Sequence, residues 1–465
     1  MRAWPLLCVL AMAACYHGAS DLPTCSIRCS EGCPDGTSCV AGYCTNGNDC
    51  AAPVDASTGD GTGTTDGPPD APTCGAIGLA CCASAPACGQ GLTCASGTCT
   101  QCVTDISFGQ AHSCVLELDH TVHCVGQGTN GQLGNNAIVN SPTYVQVADA
   151  TGPITNAMQI GAGFSFTCAV RSDTTVWCWG YGYWGQLGNN AFNDSPIAVQ
   201  VVKTDLTPLT DIVEVHAGGM HACARSTAGN IWCWGYSYDG ELGDTTNSYR
   251  QTAAQVTHGG VAITGATTLG VGYAHACMLD TTNQIWCWGS NTDGRVGDGT
   301  LTNVFEAKVI ATAAEIAVGR RHTCMRQSTG AVSCWGDNRG GQLGDGTTTG
   351  SNTAKPVLAS IGGSQFSAAS IAAGRISCAI TSEGSPVCWG GDAHGSGRGS
   401  PTPVPVSTLG APLAGVDHIA MGYTHACAHT SAGAWWCWGR DTEGELGDGS
   451  TLGKGYAIPL PATCQ

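Results

Sequence analysis

Charged side chains are scarce in this sequence, and basic ones are the scarcest. Only 11% of the 465 residues are charged. The sequence has 17 Lys and Arg but 34 Asp and Glu, which gives a formal net charge of −17. Nucleic-acid phosphates are bound mainly by Lys and Arg, and an anionic membrane surface needs a run of such residues. The composition therefore excludes both as expected partners. A basic partner stays open beside the simpler interpretation that the charge serves solubility.

Motifs of the common catalytic and cofactor sites are absent as well. The sequence has no Gly-x-Ser-x-Gly elbow, no His-Glu-x-x-His pair and no phosphate-cradling loop. Two segments, 291–294 and 337–340, are similar to calcium loops but lack the bidentate acid that should close such a loop. We expect no enzymatic activity, no cofactor and no metal site.

The apolar start of the chain is too short to span a bilayer. It runs from Trp4 to Ala14 behind one basic residue, which is typical of a secretory signal at residues 1–14. The small residues before Cys15 resemble the bacterial lipoprotein box, although Met12 stands where Leu is commonest. The resemblance implies that Cys15 is lipidated and anchors the protein to the outer membrane or cell surface. The alternative is plain secretion with cleavage nearby.

Cysteine, by contrast, is abundant, and 30 of them behind a secretory signal indicate an oxidising compartment. Apart from Cys15, twelve lie in two modules, at residues 15–50 and 74–101. The first six fall within 26 residues, too few for a packed core, so three disulfides are expected, with zinc ligation as the alternative. Six cysteines permit fifteen pairings, so connectivity stays open. The clusters are Cys25, Cys29, Cys33, Cys39, Cys44, Cys50 and Cys74, Cys81, Cys82, Cys88, Cys94, Cys99.

Residues 51–73, between the two modules, are Gly, Thr, Asp and Pro with almost nothing apolar. Such a segment cannot recover the entropy lost on ordering, so we expect a flexible tether. Together with the cysteine modules it would form a small disulfide-rich stalk.

Seven further cysteine pairs share one internal spacing of ten positions. The first cysteines of successive pairs fall 47 to 55 residues apart, and self-similarity at such a period is typical of a solenoid or a propeller. The pairs are Cys114 with Cys124, Cys168 with Cys178, Cys223 with Cys233, Cys277 with Cys287, Cys324 with Cys334, Cys378 with Cys388, and Cys427 with Cys437.

One repeat can be divided into strands. Within the third repeat, residues 212–217, 220–224 and 231–234 each have the composition of a short strand. Pairing the last two places Cys223 opposite Cys233, at a separation that a disulfide can bridge. A fourth short strand often follows a proline, which suits a sheet edge. Four strands repeated seven times predict an all-β fold, a seven-bladed β-propeller.

The repeated motif also carries a resemblance. Gly-x-x-His-x-Cys, followed by Trp-Gly and then Gly-Gln-Leu-Gly, resembles the regulator of chromosome condensation repeat, called alpha-tubulin suppressor-like in bacterial proteins. The resemblance implies a seven-bladed propeller, here at residues 102–465, and says little about function. Departures are Phe166 and Ile376 for the histidine, Val125 for the tryptophan, and residues 395–398 for the Gly-x-Leu-Gly segment.

Two cysteines remain after the signal, the lipid site, the modules and the repeats are counted. Cys102 directly precedes the first repeat and Cys464 is one residue from the end. A ring must join its first blade to its last. We therefore predict that Cys102 and Cys464 form a disulfide that closes the propeller.

Histidine and tryptophan each recur at one position of the repeat. The histidines could form a ring of metal ligands, but equivalent positions in a propeller are whole blades apart, so we expect buried, hydrogen-bonded histidines. The tryptophans are expected to fill the wedges between blades. The two series are His112, His221, His275, His322, His425 and Trp179, Trp234, Trp288, Trp335, Trp389, Trp438.

Five aromatic residues depart from the repeat in the connections that follow the Trp-Gly pairs of two adjacent repeats. These residues are Tyr181, Tyr183, Trp184, Tyr236 and Tyr238. Other repeats have Ser290-Asn291 or Asp337-Asn338 there, so the fold does not demand aromatics. Exposed Tyr and Trp form protein hot spots and sugar-stacking platforms. We predict a partner-binding rim, with rings folded back over the blade edges as the alternative.

These observations predict a monomeric, exported, lipid-anchored or secreted binding protein of the cell envelope that recognises an extracellular or envelope protein. The resemblance adds that some exported members inhibit β-lactamases through one propeller face, so an inhibitor is a subclass. A glycan ligand bound by the same aromatics is the alternative. Guanine-nucleotide exchange, known for nuclear members, conflicts with the export signal.

Overall fold

The structure is a computed structural model that describes residues 102–391 and 399–460, together with four short strands nearer the N-terminus. The predictions for Cys15, the tether, the pairing within residues 25–99, residues 395–398 and Cys464 lie outside the described residues. By contacts the chain divides into two units, residues 1–70 and 71–465. No helix occurs among the described residues, and so none there could cross a membrane.

Seven four-stranded antiparallel sheets follow one another along the chain, each with its strands in sequence order. The first strands are β5 (Val103–Phe108), β11 (Ala157–Ala162), β15 (Ile212–Ala217), β21 (Ala266–Val271), β25 (Glu315–Val318), β29 (Ser370–Ala373) and β33 (Val416–Met421). The second strands are β6 (His112–Glu117), β12 (Phe166–Arg171), β16 (His221–Ser226), β22 (His275–Asp280), β26 (His322–Arg326), β30 (Ser377–Ile380) and β34 (His425–Thr430).

The outer half of each blade completes the sheet. The third strands are β7 (Val122–Gly126), β13 (Val176–Gly180), β17 (Ile231–Gly235), β23 (Gln284–Gly289), β27 (Val332–Gly336), β31 (Pro386–Gly390) and β35 (Trp435–Gly439). The fourth are β8 (Ser141–Gln146), β14 (Ser195–Gln200), β18 (Arg250–Gln255), β24 (Val304–Thr312), β28 (Ser351–Pro356), β32 (Ser400–Pro405) and β36 (Lys454–Pro459). The predicted all-β, seven-bladed propeller is confirmed.

Four small hairpins accompany the blades. They pair β1 (Ser38–Val40) with β2 (Tyr43–Thr45), β3 (Leu92–Ala95) with β4 (Thr98–Gln101), β9 (Ala148–Asp149) with β10 (Gly152–Pro153), and β19 (Thr257–His258) with β20 (Val261–Ala262).

Each blade carries the predicted disulfide between its second and third strands. In the third blade Cys223 lies directly opposite Cys233 in the antiparallel register, and in all seven pairs the Cα atoms are 4.0–4.1 Å apart. The half-cystines are 0–1% exposed. Every one of these cross-links therefore lies inside one blade, and the contacts between blades must come from elsewhere.

The other six bonds repeat this arrangement, so all seven predicted pairings are present. In blade order they join Cys114 to Cys124, Cys168 to Cys178, Cys277 to Cys287, Cys324 to Cys334, Cys378 to Cys388, and Cys427 to Cys437. In each pair the two residues are direct partners in the antiparallel register.

The Gly-x-Leu-Gly segment supplies the contact between neighbouring blades. The indole N–H of Trp234 in blade 3 donates to the Gln186 carbonyl of blade 2 at 2.9 Å. The ring also packs against Gly188, which has a φ of +64° and no room for a Cβ. The same bond joins four other blade pairs: Trp179 to Gln132, Trp288 to Glu241, Trp335 to Arg295 and Trp389 to Gln342. The predicted packing role of the tryptophans is confirmed.

In blade 1 Val125 stands at the position of the tryptophan, and a different side chain fills the space between blade 1 and blade 7. A Cβ on Gly447 of blade 7 would meet the ring of Tyr144, which comes from the fourth strand of blade 1. Tyr144 thus fills the wedge that an indole fills in the other blades.

The first strands line a central channel of the propeller. At one mouth of this channel, a ring of backbone hydrogen bonds joins the turns between the first and second strands. Each turn donates a backbone N–H to a carbonyl of the next blade. The first bond runs from Gln110 of blade 1 to Phe164 of blade 2 at 3.2 Å, and the last runs from Tyr423 of blade 7 to Gly109 of blade 1 at 3.5 Å. The intermediate bonds are Phe164 to Gly218, Gly219 to Tyr273, Tyr273 to Arg320, Arg320 to Gly374 and Arg375 to Gly422. The ring of bonds joins blade 7 to blade 1, and among the described residues no sheet combines strands from the two ends of the chain.

The first and last blades meet at a seam that places Cys102 near Leu460, the last described residue. Cys102 is 4% exposed and shares a core cluster with Trp435 and Leu460. It is disulfide-bonded, and its partner lies outside the described residues. The Cys102–Cys464 disulfide stays a prediction.

Gly188→Ala should destabilise the propeller because the new methyl group would lie 2.8 Å from Val201 and 2.9 Å from the Trp234 ring. Gly260→Ala is the matched control, since Gly260 also has positive φ (+75°) but has nothing within 4 Å of the added atom. We expect Gly188→Ala to cost about 1–3 kcal/mol more than the control, the usual cost of overpacking. Urea unfolding midpoints measure the difference, and equal midpoints would contradict the wedge contact.

Candidate functional site

Two kinds of connection share one face of the propeller, here called the upper face. Because strands alternate in direction, the turn between the first and second strands and the loop between the third and fourth lie at the same end of every blade. The predicted aromatic residues occupy the second kind of loop in blades 2 and 3. The upper face is therefore where the departures from the repeat are concentrated.

Four of the five predicted aromatics form one ring cluster that crosses from blade 2 to blade 3. Successive ring centres are 5.1 Å apart for Tyr183 and Trp184, 5.4 Å for Trp184 and Tyr236, and 5.1 Å for Tyr236 and Tyr238, all edge to face. Such pairs stabilise one another beyond the area they bury. Tyr181 makes no ring contact with this cluster among the described residues.

Phe192 and Tyr249 complete the cluster and were missed from the sequence. Tyr249 lies 5.3 Å from Phe192, 6.0 Å from Trp184 and 6.0 Å from Tyr238, measured between ring centres. Both residues sit later in the same two connections, so a longer window after each Trp-Gly pair could have found them. We call the six side chains Tyr183, Trp184, Phe192, Tyr236, Tyr238 and Tyr249 the aromatic rim.

The aromatic rim is exposed despite its internal contacts. Tyr183 is 60% exposed, Tyr238 49%, Phe192 44% and Tyr249 39%. Of the five predicted residues, Tyr181, Trp184 and Tyr236 are half-buried, whereas Tyr183 and Tyr238 are among the four exposed rings. They form an apolar surface against water, a feature that marks interaction sites on soluble proteins.

A cleft of about 350 Å³, here the rim cleft, opens between the aromatic rim and the channel mouth at the junction of blades 3 and 4. Trp184, Tyr236, Tyr238 and Tyr273 supply its aromatic walls. Its polar groups are His221, Asp239 and Glu241. The cleft thus combines apolar walls with a few converging polar groups, as ligand sites do.

The recurring histidines are buried, and four of five bond to a hydroxyl of the next blade. The Nε2 atom of His112 lies 2.8 Å from Thr167, that of His275 2.9 Å from Thr323, that of His322 2.7 Å from Ser377 and that of His425 2.9 Å from Ser113. For these four the predicted structural role is confirmed. Where the histidine is replaced, by Phe166 and Ile376, the next blade has alanine in place of the hydroxyl, at Ala222 and Ala426.

His221 is the exception. The next blade has Ala276 at the position of the hydroxyl, and the Nε2 atom of His221 has no hydrogen-bond partner although the residue is 1% exposed. Burial lowers the pKa of His221 to about 3, so the ring is neutral at physiological pH. An unpaired buried polar atom is costly, and the residue that carries it is one of those that line the rim cleft.

Glu241 is the second unusual group in the rim cleft. It is 1% exposed, and its Oε2 atom accepts the backbone N–H of Asp239 at 2.8 Å. Burial raises the pKa of Glu241 to about 7, with the charge of Asp239 contributing in the same direction. Buried carboxyl groups with raised pKa values cluster at functional sites.

Family models match six segments of the propeller. Two models, each described as the regulator of chromosome condensation (RCC1) repeat, match residues 119–170, 173–225 and 329–380, and residues 103–132, 267–295 and 313–342. The chain is an RCC1-repeat β-propeller. The matched unit at residues 173–225 begins at the third strand of one blade and ends at the second strand of the next, so an RCC1 repeat in sequence is offset from a blade in space.

Known relatives share this RCC1-repeat region at low identity. The chain is 26% identical over 209 residues to the human E3 ubiquitin-protein ligase HERC2, covering 45% of this chain and 4% of the relative. It is also 26% identical over 215 residues to the ultraviolet-B receptor UVR8 of Arabidopsis thaliana, covering 45% and 47%. The chain thus spans less than half the length of either relative.

A solved structure supports the fold. Yeast RCC1 (Prp20), solved bound to Kap60, aligns with a TM-score of 0.60 at 20% identity and covers 73% of this chain and 83% of its own. At this identity the likeness concerns the RCC1-repeat fold alone.

A second cleft on the upper face is rich in arginine. Arg320, Arg321, Arg339 and Arg375 line about 290 Å³ at blades 5 and 6, although the whole chain has only 17 basic residues. Arg321 is paired with Asp293 at 2.8 Å and Arg339 with Asp337 at 2.8 Å. The upper face of this RCC1-repeat propeller therefore has an aromatic sector and an arginine sector.

Ala276→Ser should stabilise the propeller at pH 7 because it restores the hydroxyl that His221 lacks. We expect a gain of about 1 kcal/mol, the typical net value of a buried hydrogen bond. Ala222→Ser is the matched control, since it introduces the same hydroxyl next to the blade of Phe166, which has no ring nitrogen. Thermal unfolding compares the two variants, and an equal gain in both would contradict the unpaired state of His221.

Proposed function

We propose that this protein is a non-enzymatic scaffold that binds a protein partner through the aromatic rim. The observation that carries the proposal is the cluster of six rings on the upper face, four of which are exposed. Tyr and Trp are enriched among the residues that dominate binding energy at protein interfaces. In blades 4 and 5 the first residues of the same loop are polar and buried, at Ser290-Asn291 and Asp337-Asn338. The rings are therefore additions to the repeat.

The comparisons support a binding scaffold. Yeast RCC1 was solved in complex with another protein, Kap60, while HERC2 is named a ubiquitin ligase and UVR8 a light receptor. Proteins with such different names each match part of this chain, which suits a recognition module attached to varied functions. An inhibitor of an extracellular or envelope enzyme is one form that such a scaffold can take.

We also infer that the protein lies outside the cytoplasm, where it is either anchored to the envelope by lipid at Cys15 or secreted. The seven disulfides within the blades support an oxidising location, since such bonds persist outside reducing compartments. The low basic content argues for a lipid anchor over a charged membrane-binding surface.

Replacing the two most exposed rings should abolish partner capture. We expect Tyr183→Ala combined with Tyr238→Ala to weaken binding to a captured envelope or extracellular protein by at least about 30-fold, the effect of losing a hot spot. Affinity capture with the oxidised full chain identifies the partner, and calorimetry with the purified pair gives the ratio.

Leu118→Ala provides the control, because Leu118 is 50% exposed on the opposite face, in the turn between the second and third strands of blade 1. Equal binding by the double variant and the wild type would contradict the proposal. A glycan-array signal that disappears in the double variant, without any protein captured, would establish the carbohydrate-binding alternative.

Mass spectrometry of a non-reduced digest tests the anchor and the seam together. We expect the mature N-terminal peptide to begin at Cys15 and to carry acyl chains, and the Cys102 peptide to be linked to the Cys464 peptide. An unmodified N-terminus would contradict the anchor, and a Cys102 bond into residues 74–99 would contradict the seam.

A further inference from the structure

Two blades have glutamate as the second residue of Gly-x-Leu-Gly, Glu241 in blade 3 and Glu445 in blade 7, and the two are built alike. Each accepts the backbone N–H two residues earlier at 2.8 Å, and each is 1% exposed. In blade 7 the carboxylate also has a cation, because the Nε atom of Arg440 lies 3.6 Å from Oε1 of Glu445. Arg440 directly follows the Trp-Gly pair of its blade.

Blade 3 has Tyr236 where blade 7 has Arg440. No ion pair involves Glu241 or Asp239 among the described residues, and Asp239 is held only by the neutral amide of Asn303 at 2.8 Å. No guanidinium lies within ion-pair distance of Glu241 among the described residues, and Tyr236, at the position of Arg440, lines the rim cleft instead. Two carboxylates without a cation therefore line a cleft with aromatic walls.

The other polar group of the rim cleft suits the same kind of ligand. His221 is neutral, and its Nε2 atom has no partner. A neutral imidazole does not repel a guanidinium, so His221 is compatible with a cation in the rim cleft. The rings also fit, because guanidinium groups stack on aromatic faces, as Arg320 does 5.3 Å from the centre of the Tyr273 ring and Arg171 does over Trp177.

We propose that the rim cleft receives an arginine side chain of the protein partner, with its guanidinium beside Glu241 and Asp239 and within the walls of Trp184, Tyr236 and Tyr238. The inference rests on the proposed function, since the aromatic rim would bury the surface around this anchor. An anionic group would meet two carboxylates here, and a neutral sugar would leave both without a cation. The net charge of the protein, −17, favours the approach of a basic segment.

Binding should strengthen as pH rises through neutrality. Burial raises the pKa of Glu241 to about 7, so the carboxylate is about tenfold less ionised at pH 6 than at pH 8. The charged or titratable groups around it are Asp239, Arg295, His221, Tyr236, Tyr238 and Tyr273. Arg295 is committed to Asp293, His221 is neutral throughout this range, and burial raises the pKa of Tyr236 above that of free tyrosine.

A matched pair of peptides tests the inference on the oxidised full chain. Acetyl-Gly-Arg-Gly-amide and its citrulline analogue have the same shape, but only arginine is charged, and NMR titration at pH 8 measures both affinities. We expect the arginine peptide to bind about tenfold or more tightly, and Glu241→Gln to remove that advantage together with the pH dependence. Equal binding of the two peptides to the wild type would overturn the inference.

The repeats provide the control variants. Gln occupies the Glu241 position in blades 1, 2 and 5, as Gln132, Gln186 and Gln342, so Glu241→Gln should fold. Glu445→Gln makes the same change in blade 7 and should leave peptide binding unchanged, and an equal loss in both variants would refute the site. If Tyr183→Ala with Tyr238→Ala abolishes partner binding while Glu241→Gln does not, the proposed function stands and the arginine site is wrong.

Discussion

The indole of one blade against the Gly-x-Leu-Gly segment of the blade before it is the contact on which the propeller depends. This contact has three requirements. The indole N–H must find a carbonyl, the flat ring must pack against an equally flat surface, and the backbone of the Gly-x-Leu-Gly segment must turn with a positive φ. Glycine satisfies the last two at once, because it has no side chain to hold the ring away. The leucine between the glycines, such as Leu187, is fully buried in a core cluster that its own blade shares with the next and that includes Trp234.

Because that contact fixes each blade against its neighbour, the upper-face loops are held at set distances from one another. The distance from Trp184 to Tyr236, which belong to different blades, is set by the same wedge that buries Trp234. The aromatic rim and the rim cleft are therefore built on a rigid base although their residues lie in loops. Sites held this way lose little conformational freedom on binding, which favours affinity.

The sequence predicted what depends on local spacing. The spacing of ten positions between Cys223 and Cys233 was enough to predict their hairpin, and the repeat period was enough to predict seven blades. A longer local window would have found Phe192 and Tyr249, but the other features that the sequence missed depend on contacts between blades. Nothing local indicates that Tyr144 replaces the absent indole of blade 1, or that His221 faces an alanine 55 positions later. The sequence does contain this information: a repeat with His is usually followed by a repeat with a hydroxyl residue, and a repeat with Phe is followed by one with alanine. The correspondence can be seen only when the repeats of neighbouring blades are aligned.

The confinement of each of the seven blade disulfides to a single hairpin has a consequence for how the chain matures. Partners are ten residues apart, whereas 37 to 45 residues separate the second cysteine of one pair from the first of the next. Chain statistics favour the shorter closure by roughly tenfold. If the chain is exported as proposed, each hairpin can oxidise as it emerges, before the thiols of the next blade are present. Local closure of each hairpin then favours the native pairing of these seven disulfides.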